Sequence, residues 1–168
     1  FGYDSLSKPG RKFRLAVLEN ATAGAEDDVR DALQGALDAL ADVATVETVA
    51  LPDLPYIPVP LTIPFAASAS AQEEFIERGK ASAPQSPEDR YPYARSAVLA
   101  KDYLKAMRIR GVIAKAVDGV LEGFDALVAP SSPGVAPRVD QSLREWLELT
   151  DDVVGAFGNA AGLPAVSI

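Results

Sequence analysis

The sequence predicts an α/β fold, and three observations support this prediction. Near the amino terminus, an apolar segment at 13–18, a helical apolar repeat and a Val-rich alternating segment at 45–51 follow one another. Strand, helix and strand within about forty residues are typical of a βαβ unit, with a right-handed crossover if the strands are parallel. Later in the chain, a long helical pattern at 96–122 precedes a short apolar run at 126–129. A final apolar run at 163–168 predicts one more buried strand.

The elements of the first region each have a local signal. Apolar side chains dominate 13–18, which predicts a buried strand. Acidic residues at 26–28 favour a helix start through the helix dipole, and the helix is predicted to end near Asp42. Its apolar face is predicted to consist of residues spaced by four, four and three: Val29, Leu33, Leu37 and Leu40.

The middle of the chain is interrupted by prolines. Five prolines lie within 52–64, so this segment is predicted to be extended rather than helical. A helix at 65–80 and a polar loop at 81–92 follow, and then comes the longest helix at 96–122, which Gly123 ends in a left-handed conformation. The apolar stripe of that helix is predicted to be Leu99, Tyr103, Ala106, Ile109, Ile113, Ala116, Val117 and Val120.

The loop after the run at 126–129 is the first candidate site. Pro130 and Pro133 cannot donate to a central ladder, so the predicted buried strand ends there and leaves Ser131 and Ser132 in a stiff loop. Ligands of open α/β sheets bind at the carboxyl ends of strands. The alternative is an exit loop that only directs the chain. Beyond it, the sequence predicts a short amphipathic helix at 141–149 with Trp146 and a small-residue helix at 152–159.

Composition excludes several classes of function. The net charge of −8 and the pI near 4.5 argue against direct binding to nucleic acid or to an anionic membrane surface. With no cysteine and no histidine, the chain cannot form disulfides, and a zinc site is disfavoured. The Gly-x-Gly-x-x-Gly spacing of dinucleotide sites is missing after the first strand. We therefore predict no cofactor and no metal, and, with neither a membrane-spanning run nor a signal peptide in the sequence, a cytoplasmic location.

The chain is expected to be one internal piece of a larger domain, since it begins at Phe1 and stops at Ile168 within an apolar run. Its predicted organisation is a lead-in at 1–12, strand–helix–strand at 13–51, a Pro-rich and helical excursion at 52–95, and helix, strand, helix and strand at 96–168.

Four segments in order carry a resemblance to a known family. They are Arg-Leu-Ala-Val-Leu at 14–18, Asp-Tyr-Leu-Lys-Ala-Met-Arg-Ile-Arg at 102–110, Asp-Ala-Leu-Val-Ala-Pro-Ser-Ser-Pro at 125–133, and Asn-Ala-Ala-Gly-Leu-Pro-Ala-Val-Ser at 159–167. The chain resembles the later half of the amidase signature family, which includes amidases and the A subunit of aspartyl/glutamyl-tRNA amidotransferase.

The resemblance implies an α/β/α sandwich with a mixed sheet and hydrolysis of a carboxamide through an acyl-enzyme. The family uses a Ser–cis-Ser–Lys triad, which is feasible without histidine because a desolvated neutral lysine can act as a base. The Gly-Ser-Ser-Gly-Gly-Ser stretch of that triad does not occur in this sequence. We therefore assign no catalytic residue and predict that the chain alone is inactive.

The resemblance also implies substrate-lining residues. Pro130, Ser131, Ser132 and Pro133 would form part of the wall of a substrate funnel, with Asn159 and Gly162 as supports. Arg90 and Arg95 lie near the place where the amidotransferase subunit holds the glutamine carboxylate, although exposed loop charges are the simpler interpretation of both. Arg95 stands where many members have glycine, which favours a general amidase.

Three functions are compatible with the sequence. The first is a fragment of an amidase acting on a small-molecule amide, completed by its missing catalytic half or by a second copy of the chain. The second is a piece of the A subunit of the amidotransferase, and the third is a degenerate, non-catalytic homologue that binds a partner.

Overall fold

A computed structural model describes residues 11–71, 73–78, 97–136, 138–140 and 153–167. The chain divides into two compact units, which are described separately: Phe1–Pro52 with Asp118–Ala136, and Asp53–Val117 with Pro137–Ile168. Several predicted features lie outside the described residues, namely the loop at 81–92, the helix at 141–149 with Trp146, and both Arg90 and Arg95.

The first unit is built on a three-stranded parallel sheet. Its elements are β1 (Phe13–Leu18), α1 (Asp27–Leu40), β2 (Ala44–Val49) and β3 (Ala126–Val128). The order is β2-β1-β3, and both pairings of β1 are parallel. The predicted α/β class and the βαβ unit at 13–51 are confirmed.

The central strand is buried on both faces. Leu15, Ala16, Val17 and Leu18 are all buried, although successive side chains of a strand point to opposite faces. A strand covered on both sides is typical of parallel sheets, and it explains why residues 15–18 of β1 are all apolar. The predicted apolar stripe of α1 is also confirmed. The half-buried residues of this helix are Val29, Leu33, Leu37 and Leu40, and its other residues are exposed.

The third strand corrects one prediction. The sequence predicted a buried strand at 126–129, but Ala126 is exposed and Leu127 and Val128 are only half-buried. The reason is its place in the sheet. Within the described part of the chain β3 pairs with β1 alone, so it is an edge strand with one side unpaired.

The described elements of the second unit are helical. They are α2 (Pro58–Ala71), α3 (Glu73–Glu77), α4 (Ala100–Leu121, whose last four residues belong to the first unit) and α5 (Val153–Ala161). Buried apolar side chains of this unit are Tyr56, Val59, Ala106, Ile113, Val117, Phe157 and Ala160. Among the described residues, none of the helices combines the length and the apolar composition of a membrane span.

The Pro-rich segment at 52–64 was predicted as extended, and this is wrong for 58–64. A helix begins at Pro58 and continues through Pro64. The first turn of a helix has no intrahelical partners for its N–H groups, so Pro58 and Pro60 cost it no hydrogen bond. Pro64 does remove one interior bond, from its own nitrogen to the carbonyl four residues earlier. The positions of the prolines in the helix therefore matter more than their number.

The last strand and one core residue were also predicted incorrectly. Residues 163–167 form no strand, and Val166 is 86% exposed. A strand needs a hydrogen-bonding neighbour, and the described strands all belong to the first unit. Leu99 was expected in the stripe of α4 but is 55% exposed, because the helix begins one residue later, at Ala100.

Two glycines near the end of α4, Gly119 and Gly123, are expected to change stability in opposite directions when replaced with alanine. Gly123 has φ +86°, and an added Cβ would lie 3.1 Å from Arg14 Nη1. Gly123→Ala should lower the free energy of unfolding by about 1–2 kcal/mol, because a left-handed conformation is strained for alanine. Gly119 lies in α4 with open space around its Cβ position. Gly119→Ala should therefore raise stability by about 0.5–1 kcal/mol. Denaturant unfolding measures the free energy of unfolding of both variants. Equal changes in the two variants would contradict the expectation.

Candidate functional site

The predicted loop at the carboxyl end of β3 is present. Within it, Pro130, Ser132 and Pro133 are half-buried, and Ser131 is exposed. Ser132 Oγ accepts a hydrogen bond from the Gly134 N–H at 3.4 Å, so this hydroxyl helps to turn the loop. Because β1 and β3 are parallel neighbours, the loops that follow them leave the same edge of the sheet.

Glu26 connects this loop to the start of α1. Its backbone N–H donates to Pro133 O at 2.8 Å, and its Oε2 accepts from the Val135 N–H at 3.3 Å. A Cβ on Gly134 would lie 3.1 Å from Glu26 Oε1, so glycine permits this close approach. From the sequence, Glu26 was predicted only to be part of an acidic helix start. The signal that could have found it is the unusual choice of glutamate at an N-cap, where Ser, Thr, Asp or Asn are preferred.

Asp125 joins β3 to β1 at the opposite, amino-terminal edge of the sheet. Its Oδ2 accepts from the Arg14 backbone N–H at 2.8 Å, and its own N–H donates to Arg14 O at 2.8 Å. The guanidinium of Arg11 binds both carboxylate oxygens. These contacts extend the pairing of the two strands beyond Ala126, and sequence periodicity gave no sign of them.

The side chain of Arg14 has several partners at the same edge. It contacts Glu47 Oε1 through Nε at 3.2 Å and through Nη2 at 2.9 Å, and it donates to Gly123 O at 3.0 Å. Its guanidinium also lies over the ring of Phe124, 5.0 Å from the centroid. The arginine thus links β2, β1 and the end of α4. Since it is about half exposed, we assign it a structural role and expect a modest contribution to stability.

The Asp125 contacts predict a specific dependence of stability on pH. The Arg11 hydrogen bond, followed by the Arg14 N–H, lowers the pKa of Asp125 below its ordinary value of 3.8. A depressed folded-state pKa stabilises the protein above the unfolded-state pKa, and this stabilisation is lost as the pH falls through the folded-state value. Asp125→Asn should therefore destabilise the protein at pH 7, and its deficit relative to the wild type should shrink below about pH 4. Urea unfolding at several pH values measures the free energy of unfolding of the wild type and the variant. A deficit that does not change with pH would contradict the lowered pKa of Asp125.

In the second unit, the predicted supports lie at the end of α5. Asn159 is exposed, and Gly162 ends the helix with φ +77°. The Leu163 N–H donates to Gly158 O at 3.0 Å, which is the six-to-one bond of a Schellman C-cap. Arg110 Nε donates to Ala160 O at 2.9 Å and so satisfies another terminal carbonyl. Arg110, which lies off the predicted apolar stripe of α4, therefore fixes the end of α5.

Tyr56 and Phe157 are packed together in the second unit. Their rings meet edge to face, with centroids 6.3 Å apart and planes at 79°. Burial, with a smaller effect from Asp53, raises the pKa of Tyr56 above 10.0. Phe157 is almost completely buried. The pair fixes α5 in this unit, and it was missed because Tyr56 lies in the segment that was predicted to be extended.

The predicted site residues are thus divided between the two units. Pro130 to Pro133 belong to the first, and Asn159 and Gly162 to the second. Within the described ranges there is no group of three or more Asp, Glu, His or Cys side chains that could hold a metal ion.

Comparison with known proteins identifies the family. The sequence model of the family described as Amidase matches residues 3–168. The chain belongs to the amidase family. Two solved structures share the fold of this amidase chain. The first is the A subunit of glutamyl-tRNA(Gln) amidotransferase from Thermotoga maritima, with a TM-score of 0.58 and 22% identity over 90% of this chain and 34% of that one. The second is a bacterial aryl acylamidase of the amidase signature family, with a TM-score of 0.53 and 19% identity over 77% of this chain and 29% of that one.

Curated relatives of the amidase chain are also named as A subunits of glutamyl-tRNA(Gln) amidotransferase. The A subunit of glutamyl-tRNA(Gln) amidotransferase from Staphylococcus aureus strain JH9 is 28% identical, and the match covers 86% of this chain and 35% of that protein. The corresponding protein of Agathobacter rectalis is 34% identical over 67 residues, which are 39% of this chain and 13% of that protein. The match therefore spans about a third or less of the length of these relatives.

Proposed function

We propose that the chain is part of an enzyme that hydrolyses a carboxamide to a carboxylate and ammonia or an amine. In this reaction a nucleophilic hydroxyl forms an acyl-enzyme as the C–N bond breaks, and water then releases the carboxylate. The match of the Amidase family over residues 3–168 supports this proposal most strongly. Since the Gly/Ser-rich catalytic stretch is absent from these 168 residues, the nucleophile and the base would come from chain outside them.

Within that enzyme, the chain would supply scaffold and part of the wall that contacts the substrate. The loop at 130–133 suits this role because it follows the carboxyl end of a parallel strand, where α/β proteins bind ligands. Two of its positions are prolines, which stiffen it, and the side chain of Ser131 is exposed. Asn159 and Gly162 would act as supports, because Gly162 ends α5 where Arg110 binds the helix terminus.

The choice between a free amidase and an amidotransferase subunit depends on the substrate. A free amidase would act on an aryl or aliphatic amide. An A subunit of the amidotransferase, which is what the curated relatives are named, would act on glutamine together with partner subunits. We favour the general amidase, because the resemblance to the family places Arg95 where many members have glycine. In the alternative enzyme, Arg90 or Arg95 would hold the glutamine carboxylate.

The experiment is a substrate panel assayed with the intact protein that carries these residues. Release of ammonia or amine is measured from benzamide, hexanamide, an anilide and glutamine, and the 168-residue chain is assayed beside it. The proposal expects hydrolysis of an aryl or aliphatic amide by the intact protein and none by the 168-residue chain. Activity on glutamine alone would favour the amidotransferase. Failure to hydrolyse any carboxamide would favour the non-catalytic homologue.

A further inference from the structure

We propose that Glu26 is a positioning residue that fixes the conformation of the loop at 130–135, and through it the substrate affinity of the enzyme. The inference rests on the proposed function, because it takes this loop to be part of the substrate wall. Glu26 itself need not contact the substrate.

The side chain of Glu26 is not used to cap its own helix. It occupies the N-cap of α1 with extended backbone, φ −64° and ψ 157°, yet it makes no capping hydrogen bond. N-cap side chains ordinarily accept from the N–H groups of the first helical turn. Here the carboxylate accepts from the Val135 N–H instead, 109 residues later in the chain.

The contact involves the backbone of both segments and therefore restrains the path of the loop. The Glu26 N–H holds Pro133 O at 2.8 Å, and the Glu26 carboxylate holds the Val135 N–H at 3.3 Å. Between these two points lies Gly134, whose Cβ position is 3.1 Å from Glu26 Oε1. Because Gly134 lies outside the left-handed region, the reason that favours glycine here is this close approach rather than backbone strain.

These contacts connect the carboxyl ends of two neighbouring strands. The chain from β1 reaches Glu26 through a turn, and the chain from β3 reaches Pro133 directly. Pairing of β1 with β3 ends at Val128. Without the Glu26 contacts, the loop would keep only internal hydrogen bonds among the described residues, such as the one from the Gly134 N–H to Ser132 Oγ. A residue that fixes such a loop changes substrate binding without touching the reacting atoms.

The first test is amide hydrogen exchange in the intact protein. Glu26→Ala should speed exchange at Val135 about tenfold, because an N–H that donates to a carboxylate loses its acceptor. Glu26→Gln keeps an oxygen acceptor and should largely preserve protection. Asp28→Ala is the matched control, because it removes an exposed carboxylate from the same helix start. Unchanged exchange at Val135 in Glu26→Ala would overturn the inference.

The second test separates this inference from the proposed function. With an amide that the enzyme hydrolyses, Glu26→Ala and Gly134→Ala should each raise KM roughly three- to tenfold and leave kcat within about twofold. Ser131→Trp, which alters the wall directly, serves as the reference. If Ser131→Trp raises KM and Glu26→Ala does not, the positioning role is overturned while the wall remains. If exchange at Val135 accelerates but none of these variants changes KM, the wall itself is overturned, and the inference with it.

Discussion

Replacing Phe157 with alanine is expected to lower the free energy of unfolding by about 3–5 kcal/mol, which is a large part of the stability of a small domain. The ring is 1% exposed, so the truncation leaves a cavity rather than a surface that water can fill. It also removes the edge-to-face pair with Tyr56, which adds about 0.5–1.5 kcal/mol beyond burial.

Denaturant unfolding followed by circular dichroism measures this effect. Phe157→Leu is the matched control, since it keeps most of the apolar volume, and it should cost less than half as much. The absorbance titration of Tyr56 provides a second observation. Burial is the main cause of its raised pKa, so the pKa should move toward 10.0 in Phe157→Ala. A loss of stability below about 1 kcal/mol would show that Phe157 is not a core residue of the folded protein.

Ile113→Ala should have the second largest effect, about 2–5 kcal/mol. The side chain is completely buried in the middle of α4, and helix propensity cannot offset the cavity. Val112, the preceding residue of the same helix, is 55% exposed and gives a matched comparison. Val112→Ala should change stability by no more than about 0.5 kcal/mol. Equal losses at the two positions would contradict the orientation assigned to α4.

The sequence predicted the first βαβ unit well because its signals are local. Each signal lies within about fifteen consecutive residues. These signals are the apolar run of β1 and the helical spacing of Val29, Leu33, Leu37 and Leu40. The end of α4 at Gly123 was predictable for the same reason, since few other residues adopt its φ of +86°. In these elements local preference and tertiary packing agree.

The errors arose where tertiary context decides the structure. An apolar run at 163–168 indicates a strand only if a neighbouring strand is available, and residues 163–167 have none among the described residues of their own unit. Burial of β3 depended on its edge position, which the length of its apolar run does not reveal. Prediction of the helix that begins at Pro58 depends on where each proline lies relative to the first turn. The number of prolines does not give these positions.

The candidate site was predictable only in part. The loop at 130–133 could be placed at a strand end from its prolines, and the resemblance named it as a wall. Glu26, which holds that loop, lies more than a hundred residues away in sequence, and the two are connected by single hydrogen bonds that produce no periodic pattern. The same is true of Asp125 and its partners Arg11 and Arg14 at the other edge of the sheet.

The most direct test of the central claim is the steady-state kinetics of Ser131→Trp in the intact protein. If the chain forms part of the substrate wall of a carboxamide hydrolase, the variant should raise KM roughly tenfold and leave kcat within about twofold. Asp31→Trp on the exposed side of α1 should change neither constant. Unchanged KM in Ser131→Trp, or an intact protein that hydrolyses no carboxamide, would contradict the account.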